Sequence, residues 1–201
     1  MKKPLTNLLL TVTIAASLAG FTTTVLAQTD TNAAALLDQA KASSDTQLGT
    51  IATELTGKVQ SLDTAVGTNS PVQGKLNSTL SSLAGGQDSA ALTSAFKLAQ
   101  GAKLTPEQLG LAKQVGNLAS AYVVQKNFSS LDGSQGDVAT IVSSLRSGKI
   151  QPAVPALKNV ATSAKLTDNQ KQLITTITDK YVPGWSKASG AMDSLKKLPG
   201  F

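Results

Sequence analysis

The feature that most constrains the fold of this chain is an internal repeat. Residues 73–115 align without gaps onto residues 135–177, at an offset of 62 positions, with 14 identical residues in 43. The clearest block is Ala-Lys-Leu-Thr followed by Gln three residues later, which occurs at 102–108 and again at 164–170. Chance similarity between two Ala- and Ser-rich helices is the alternative, and the shared block argues against it. The repeat therefore predicts two copies of one structural unit.

The apolar residues of the chain recur with the period of an α-helix. Leu111, Val115, Leu118 and Tyr122 are spaced by four, three and four residues, so they share one helical face. No segment shows the sustained two-residue alternation of a half-buried strand. On this pattern we predict nine helices, at residues 32–43, 45–63, 73–84, 89–100, 105–130, 136–146, 152–163, 167–181 and 185–197.

Two of these helices begin at a sequence that is typical of a capping box. In the Thr-Pro-Glu-Gln segment at 105–108, the Thr hydroxyl can accept from the Gln backbone N–H while the Gln side chain returns to the Thr backbone. The Thr-Asp-Asn-Gln segment at 167–170 repeats this arrangement. Asp88 is predicted to cap the helix that begins near Ser89, because a carboxylate can accept from the free backbone N–H groups there.

A short amphipathic helix cannot bury its apolar stripe alone, so these helices must pack against one another. We therefore predict an all-α fold, either an antiparallel helical bundle or a short helical solenoid, built from an internally duplicated unit of about 62 residues. Residues 35–201 would form a single helical domain that contains the two repeats, 73–134 and 135–196.

The N-terminus has the pattern of a secretory signal peptide. Two lysines precede a short apolar stretch, and a Val-Leu-Ala segment then supplies the small residues that come before a cleavage site. We expect cleavage between Ala27 and Gln28. This would remove residues 1–27 and leave residues 28–34 as a flexible tail.

The protein is therefore expected to be exported, into the periplasm or the extracellular space. An uncleaved N-terminal anchor is the alternative, but the apolar stretch is short and rich in Thr and Ser for a membrane span. No later stretch approaches about 18 consecutive apolar residues. We accordingly expect no stable membrane insertion after cleavage.

Composition excludes several kinds of chemistry. The chain has no Cys and no His, so it lacks disulfides, thiolate metal sites, and the commonest general base and zinc ligand. The turn between Asp132 and Asp137 lacks the glycine and glutamate positions of a calcium loop. The net charge is +6, but a single arginine, Arg146, with dispersed lysines and 3% aromatic residues, argues against nucleic-acid binding. We predict a non-enzymatic protein with no catalytic residues, no cofactor and no metal.

The few aromatic residues leave two functions open. They can fill the widest gaps of an Ala-rich core, or Tyr122, Phe128, Tyr181 and Trp185 can line a cavity between the repeats that holds a small apolar ligand. The first hypothesis is an exported helical protein with a structural or protein-interaction role, which binds a protein partner through its repeat faces. The alternative is a carrier of a small apolar ligand or lipid. A filled core favours the interaction role, and a closed cavity favours the carrier.

Overall fold

The computed structural model describes residues 23–67, 70–100 and 103–187, with the backbone alone at 23–27. Residues 1–22 and 188–201 lie outside the described part, and with them most of the predicted signal peptide and most of the helix predicted at 185–197. Across the described ranges there is no strand, which confirms the prediction of an all-α fold. The helices longer than one turn are α1 (Thr23–Ala42), α2 (Thr46–Val66), α3 (Pro71–Ala84), α4 (Asp88–Phe96), α5 (Pro106–Phe128), α6 (Gln135–Ser147), α7 (Ala153–Ala161) and α8 (Asp168–Tyr181).

The helices pack around α5. This helix contacts α2, α4, α6 and α8, while α1 packs against α2 and α3, and α7 packs against α6 and α8. The amphipathic pattern of α5 predicts a single buried stripe, but residues 118–125 are buried without interruption. Small residues make this possible, because Gly116, Ala119, Ser120 and Ala121 let neighbouring helices approach faces that larger side chains would hold apart. The described core is therefore built from both halves of the chain, with α5 at its centre.

The two predicted capping boxes are both present. At α5, the Thr105 hydroxyl accepts from the backbone N–H of Gln108 at 3.3 Å, and the Gln108 side chain accepts from the Thr105 N–H at 2.9 Å. At α8, Thr167 and Gln170 make the same pair of bonds at 3.3 and 3.0 Å. These bonds satisfy backbone N–H groups that have no partner within the helix, so they fix where each helix begins.

Each capping glutamine also reaches a second helix. Gln108 Nε2 donates to the backbone oxygen of Ala65 near the end of α2, at 2.6 Å. Gln170 Nε2 donates to the backbone oxygen of Asn127 near the end of α5, at 2.7 Å. One side chain therefore caps its own helix and satisfies a free carbonyl near the end of an earlier helix, α2 for Gln108 and α5 for Gln170. We call this arrangement the glutamine clamp.

The predicted flexible tail differs in the structure. Residues 28–34, predicted as a flexible tail, lie within α1, as do both residues of the predicted cleavage site. Burial against α3 explains the helix, because Thr29 and Ala33 are buried and the Thr29 hydroxyl donates to Asn77 Oδ1 at 2.6 Å.

Within the described ranges, no helix combines the length and the apolar character that a bilayer span requires.

Asp88 does not cap α4. The N-cap position is Gln87, whose side chain makes no capping bond, and Asp88 is buried within the first turn. Its two carboxylate oxygens instead accept from Lys126 Nζ at 3.0 Å and from Asn127 Nδ2 at 2.9 Å. The carboxylate therefore joins α4 to the last turn of α5, because a buried charge needs partners of opposite charge or hydrogen-bond donors.

Replacing a clamp glutamine should destabilise the fold. Gln108→Ala and Gln170→Ala each remove a capping bond and an interhelical bond, so each should lower the free energy of unfolding by about 1–2 kcal/mol. Urea denaturation followed by circular dichroism measures this loss. Gln172→Ala is the matched control, because Gln172 is an exposed residue of α8. If the clamp variants lose no more stability than this control, the clamp does not hold the helices together.

Candidate functional site

Two adjoining depressions open on the surface along α5. The first, of about 580 Å³, is lined mainly by polar side chains, among them Glu54, Lys58 and Arg146. The second, of about 420 Å³, is lined mainly by apolar groups from α4, α5 and α8. Both are bordered by Gln114, Asn117 and Gly148, so they form one groove with a polar and an apolar part.

The apolar part, which we call the Phe96–Tyr181 pocket, is built on an aromatic pair. The two rings meet edge to face, with centroids 6.2 Å apart and planes at 86°, which is a favourable arrangement for aromatic groups. Ala112 and Gly116 lie one turn apart on α5 and supply the rest of the floor, together with Ala95 and Ile150. A Cβ at Gly116 would lie 3.7 Å from the Phe96 ring, in ordinary van der Waals contact, so the glycine leaves that part of the floor unfilled.

The hydroxyl of Tyr181 is held at the polar end of the pocket. It donates to Asn117 Oδ1 at 2.9 Å and lies 3.3 Å from Ser120 Oγ, which in turn donates to the Gly116 backbone oxygen at 2.9 Å. Burial raises the pKa of Tyr181 to about 12. The phenol therefore remains protonated near neutral pH, so it can orient a ligand by packing and hydrogen bonding but does not serve as a general base.

The rim of the pocket is positively charged. Lys113 projects from α5 and Lys180 from α8, and Lys180 Nζ lies 5.2 Å from the centre of the Phe96 ring. Such a cation over an aromatic face is attracted by the ring electrons. None of the described residues that line this pocket is acidic.

The polar part of the groove contains an ion pair between α2 and α6. Arg146 donates to Glu54 through Nε at 3.0 Å and through Nη2 at 2.5 Å, which is a two-point contact. The hydrogen bond from Arg146 lowers the pKa of Glu54. Because the Glu54 charge is neutralised by this partner, Lys58 leaves the polar part with a net positive charge as well.

The four aromatic residues predicted to line a cavity are not brought together. Tyr122 and Phe128 are fully buried in the core, and the Tyr122 hydroxyl donates to Gln39 Oε1 at 3.3 Å. Trp185 is half-buried at the start of a short helical segment, residues 185–187, which is the described beginning of the helix predicted at 185–197, and it lines neither part of the groove. Only Tyr181 contributes to the pocket. The core is therefore filled at Tyr122 and Phe128, and the open space lies at the surface.

The sequence pattern indicates neither Phe96 nor the two rim lysines as residues of a site. The pocket arises where α4, α5 and α8 meet, and these contacts join parts of the chain that are far apart in sequence. One local signal was available, namely the small residues Ala112 and Gly116 spaced four apart on α5. Such spacing places both on one face, where they leave either a close helix contact or a gap.

Comparison with protein families, with characterised proteins and with solved structures finds no match to this chain. Within the described residues, no group of three or more acidic side chains is placed to hold a metal ion. The geometry of the groove is therefore the main structural guide to a function.

The raised tyrosine pKa values predict a loss of stability at high pH. Burial raises the pKa of both Tyr122 and Tyr181 to about 12, against an ordinary value of 10.0. The folded state therefore keeps the phenol protons that the unfolded state loses. Each contribution is fully present below about pH 10 and is lost as the pH rises to about 12, on the order of 2–3 kcal/mol per residue.

Ultraviolet titration of tyrosinate measures these pKa values separately. The chain has two tyrosines, so Tyr122→Phe reports Tyr181 alone and Tyr181→Phe reports Tyr122 alone. We expect a midpoint near 12 in the folded variants and near 10 in denaturant. A folded midpoint near 10 would contradict the buried position of the phenol concerned.

Proposed function

We propose that this chain is an exported, non-enzymatic helical protein that acts by binding, and that the groove along α5 is its binding surface. The observation that carries the proposal is the Phe96–Tyr181 pocket. It is an open apolar space of about 420 Å³ on the surface of a protein whose described core is otherwise closely filled. Concave apolar sites with a few polar groups at one end are typical of ligand binding.

We also propose that the fold arose by duplication of a unit of about 62 residues. The glutamine clamp supports this, because Gln108 and Gln170 each bind a backbone oxygen 43 residues earlier in the chain. Gly86 and Gly148, which follow α3 and α6, provide further support, because they have left-handed φ values of 72° and 71°. Clamp and glycines recur at the offset of the sequence repeat.

The pocket lies where the two proposed units meet. Phe96 and Gly116 belong to the first unit, whereas Ile150 and Tyr181 belong to the second. Neither unit alone contains all four walls. If the two units arose by duplication, the pocket is formed by both units together, and a bound ligand would lie between them.

Two binding roles fit the groove, a protein-interaction role and the carriage of a small apolar ligand. A stable protein interface buries about 800 Å² on each partner, whereas the pocket has the volume of a small-molecule site, about 300–1,000 Å³. A filled core at Tyr122 and Phe128 by itself favours the protein-interaction role, because no ligand is enclosed there, but it leaves the surface pocket open. The pocket therefore favours a small ligand over a protein partner.

Export and the absence of catalysis, the two other parts of the proposal, rest on observations other than the pocket. Export rests on the signal-like pattern of residues 1–27. The absence of catalysis rests on the lack of His and Cys and on the state of the groove's polar groups. The Tyr181 hydroxyl donates to Asn117, and Glu54 is engaged by Arg146, so both are held by structural partners.

Native mass spectrometry of the exported protein tests the binding role. The full chain, with its own N-terminus, is expressed in a bacterial host, and the secreted and periplasmic fractions are purified. We expect a protein mass that begins at Gln28, and an additional small mass that disappears on denaturation. Recovery only in the membrane fraction, uncleaved, would contradict export.

A matched pair of variants assigns the additional mass to the pocket. Ala99 is exposed and lines the pocket, so Ala99→Trp should obstruct it without disturbing the core. Ala139 is exposed on α6 and borders neither part of the groove. The bound mass should be lost in Ala99→Trp and retained in Ala139→Trp. Equal retention in both variants would place the ligand elsewhere.

A further inference from the structure

We infer that the ligand of the Phe96–Tyr181 pocket is a small apolar anion, an aromatic or aliphatic group that carries one carboxylate or a similar negative charge. This inference rests on the proposed function and goes beyond it by naming the chemistry of the ligand. It combines the apolar floor of the pocket with the charge of its rim.

The floor determines the apolar part of the ligand. Phe96 and Tyr181 present ring surface, and Ala112, Gly116 and Ile150 add aliphatic surface without a free polar group. An aromatic or branched aliphatic group buried here would gain roughly 25 cal/mol for each Å² of apolar surface removed from water. A strongly hydrated ligand such as a sugar would leave its hydroxyl groups without partners along this floor.

The rim determines the charge. Lys113 and Lys180 both line the pocket, and Lys180 Nζ lies 5.2 Å from the centre of the Phe96 ring. Neither lysine forms an ion pair with a described acidic residue. Glu54, the one described acidic residue that lines the groove, is held by Arg146. An anionic group at the rim would therefore face two cations and no free acid.

The geometry also keeps the cost of binding an anion low. Lys113 and Lys180 are exposed, so the negative charge would remain partly in water while the apolar part is buried. Ion pairs of this kind avoid most of the desolvation penalty of a buried charge, and they weaken as salt concentration rises. A cationic ligand of the same shape would be repelled by the same two lysines.

Two fluorescent probes with the same aromatic framework test the inference. 1-Anilinonaphthalene-8-sulfonate carries one negative charge, and N-phenyl-1-naphthylamine is the same framework without it. Each is titrated into the purified, exported wild-type protein, and dissociation constants are measured at low and at high salt. We expect tighter binding of the charged probe at low salt, with a preference that shrinks at high salt.

Matched neutralising variants assign the preference to the rim. The double variant Lys113→Gln/Lys180→Gln should weaken binding of the charged probe about three- to tenfold and leave the uncharged probe unaffected. Lys158→Gln/Lys171→Gln makes the same change in net charge at exposed lysines away from the groove. This control should bind both probes like the wild type.

The outcomes separate the inference from the proposed function. If both probes bind equally, and Ala99→Trp abolishes both, the pocket binds ligands but the anionic preference is overturned. If the charged probe weakens equally in both lysine variants, the preference comes from net charge and the rim is not its source. If neither probe binds to the wild type, the pocket is not a site for apolar ligands, and the proposed function fails with the inference.

Discussion

Burial of residues 118–125 of α5 on every side is the constraint on which the rest of the structure depends. A helix that is buried all round is stable only when neighbours cover each of its faces. The cover comes from α2 and α4 earlier in the chain and from α6 and α8 later in it. The packing of the two halves of the chain therefore depends on this one helix. A larger residue at Ala119 or Ala121 would hold neighbouring helices away from α5 and disturb the packing of both halves.

The same small residues that allow close packing also create the groove. Ala119, Ser120 and Ala121 are fully buried, so neighbouring helices reach α5 closely there. One to two turns earlier, Ala112 and Gly116 face the Phe96–Tyr181 pocket, and the space that a larger residue would fill stays open. The stability of the core and the presence of a binding surface are thus two results of the same feature, the small residues of α5 at positions that face other helices.

Local patterns predicted the helices well because their causes are local. Thr105 and Thr167 mark the starts of α5 and α8 through bonds made within four residues, so sequence alone identifies them. The environments of Tyr122 and Tyr181 are not predicted by local patterns. Both continue a helical apolar stripe, yet one is fully buried and the other lines a pocket, because the packing of distant helices decides between these environments. Asp88 is a similar case, since its partners Lys126 and Asn127 lie on another helix.

The distribution of paired charges explains why the groove is positive although the lysines are dispersed in sequence. The least exposed described ion pair joins Asp88 to Lys126, and another joins Glu54 to Arg146. The charges of these two acids are therefore neutralised by contacts between helices. Lys113 and Lys180 have no such role among the described acids, and both stand beside apolar surface. An acid placed near either lysine would form a further pair and cancel the charge of the rim. Packing that uses acids to join helices, and leaves cations at the pocket, therefore produces a surface suited to apolar anions.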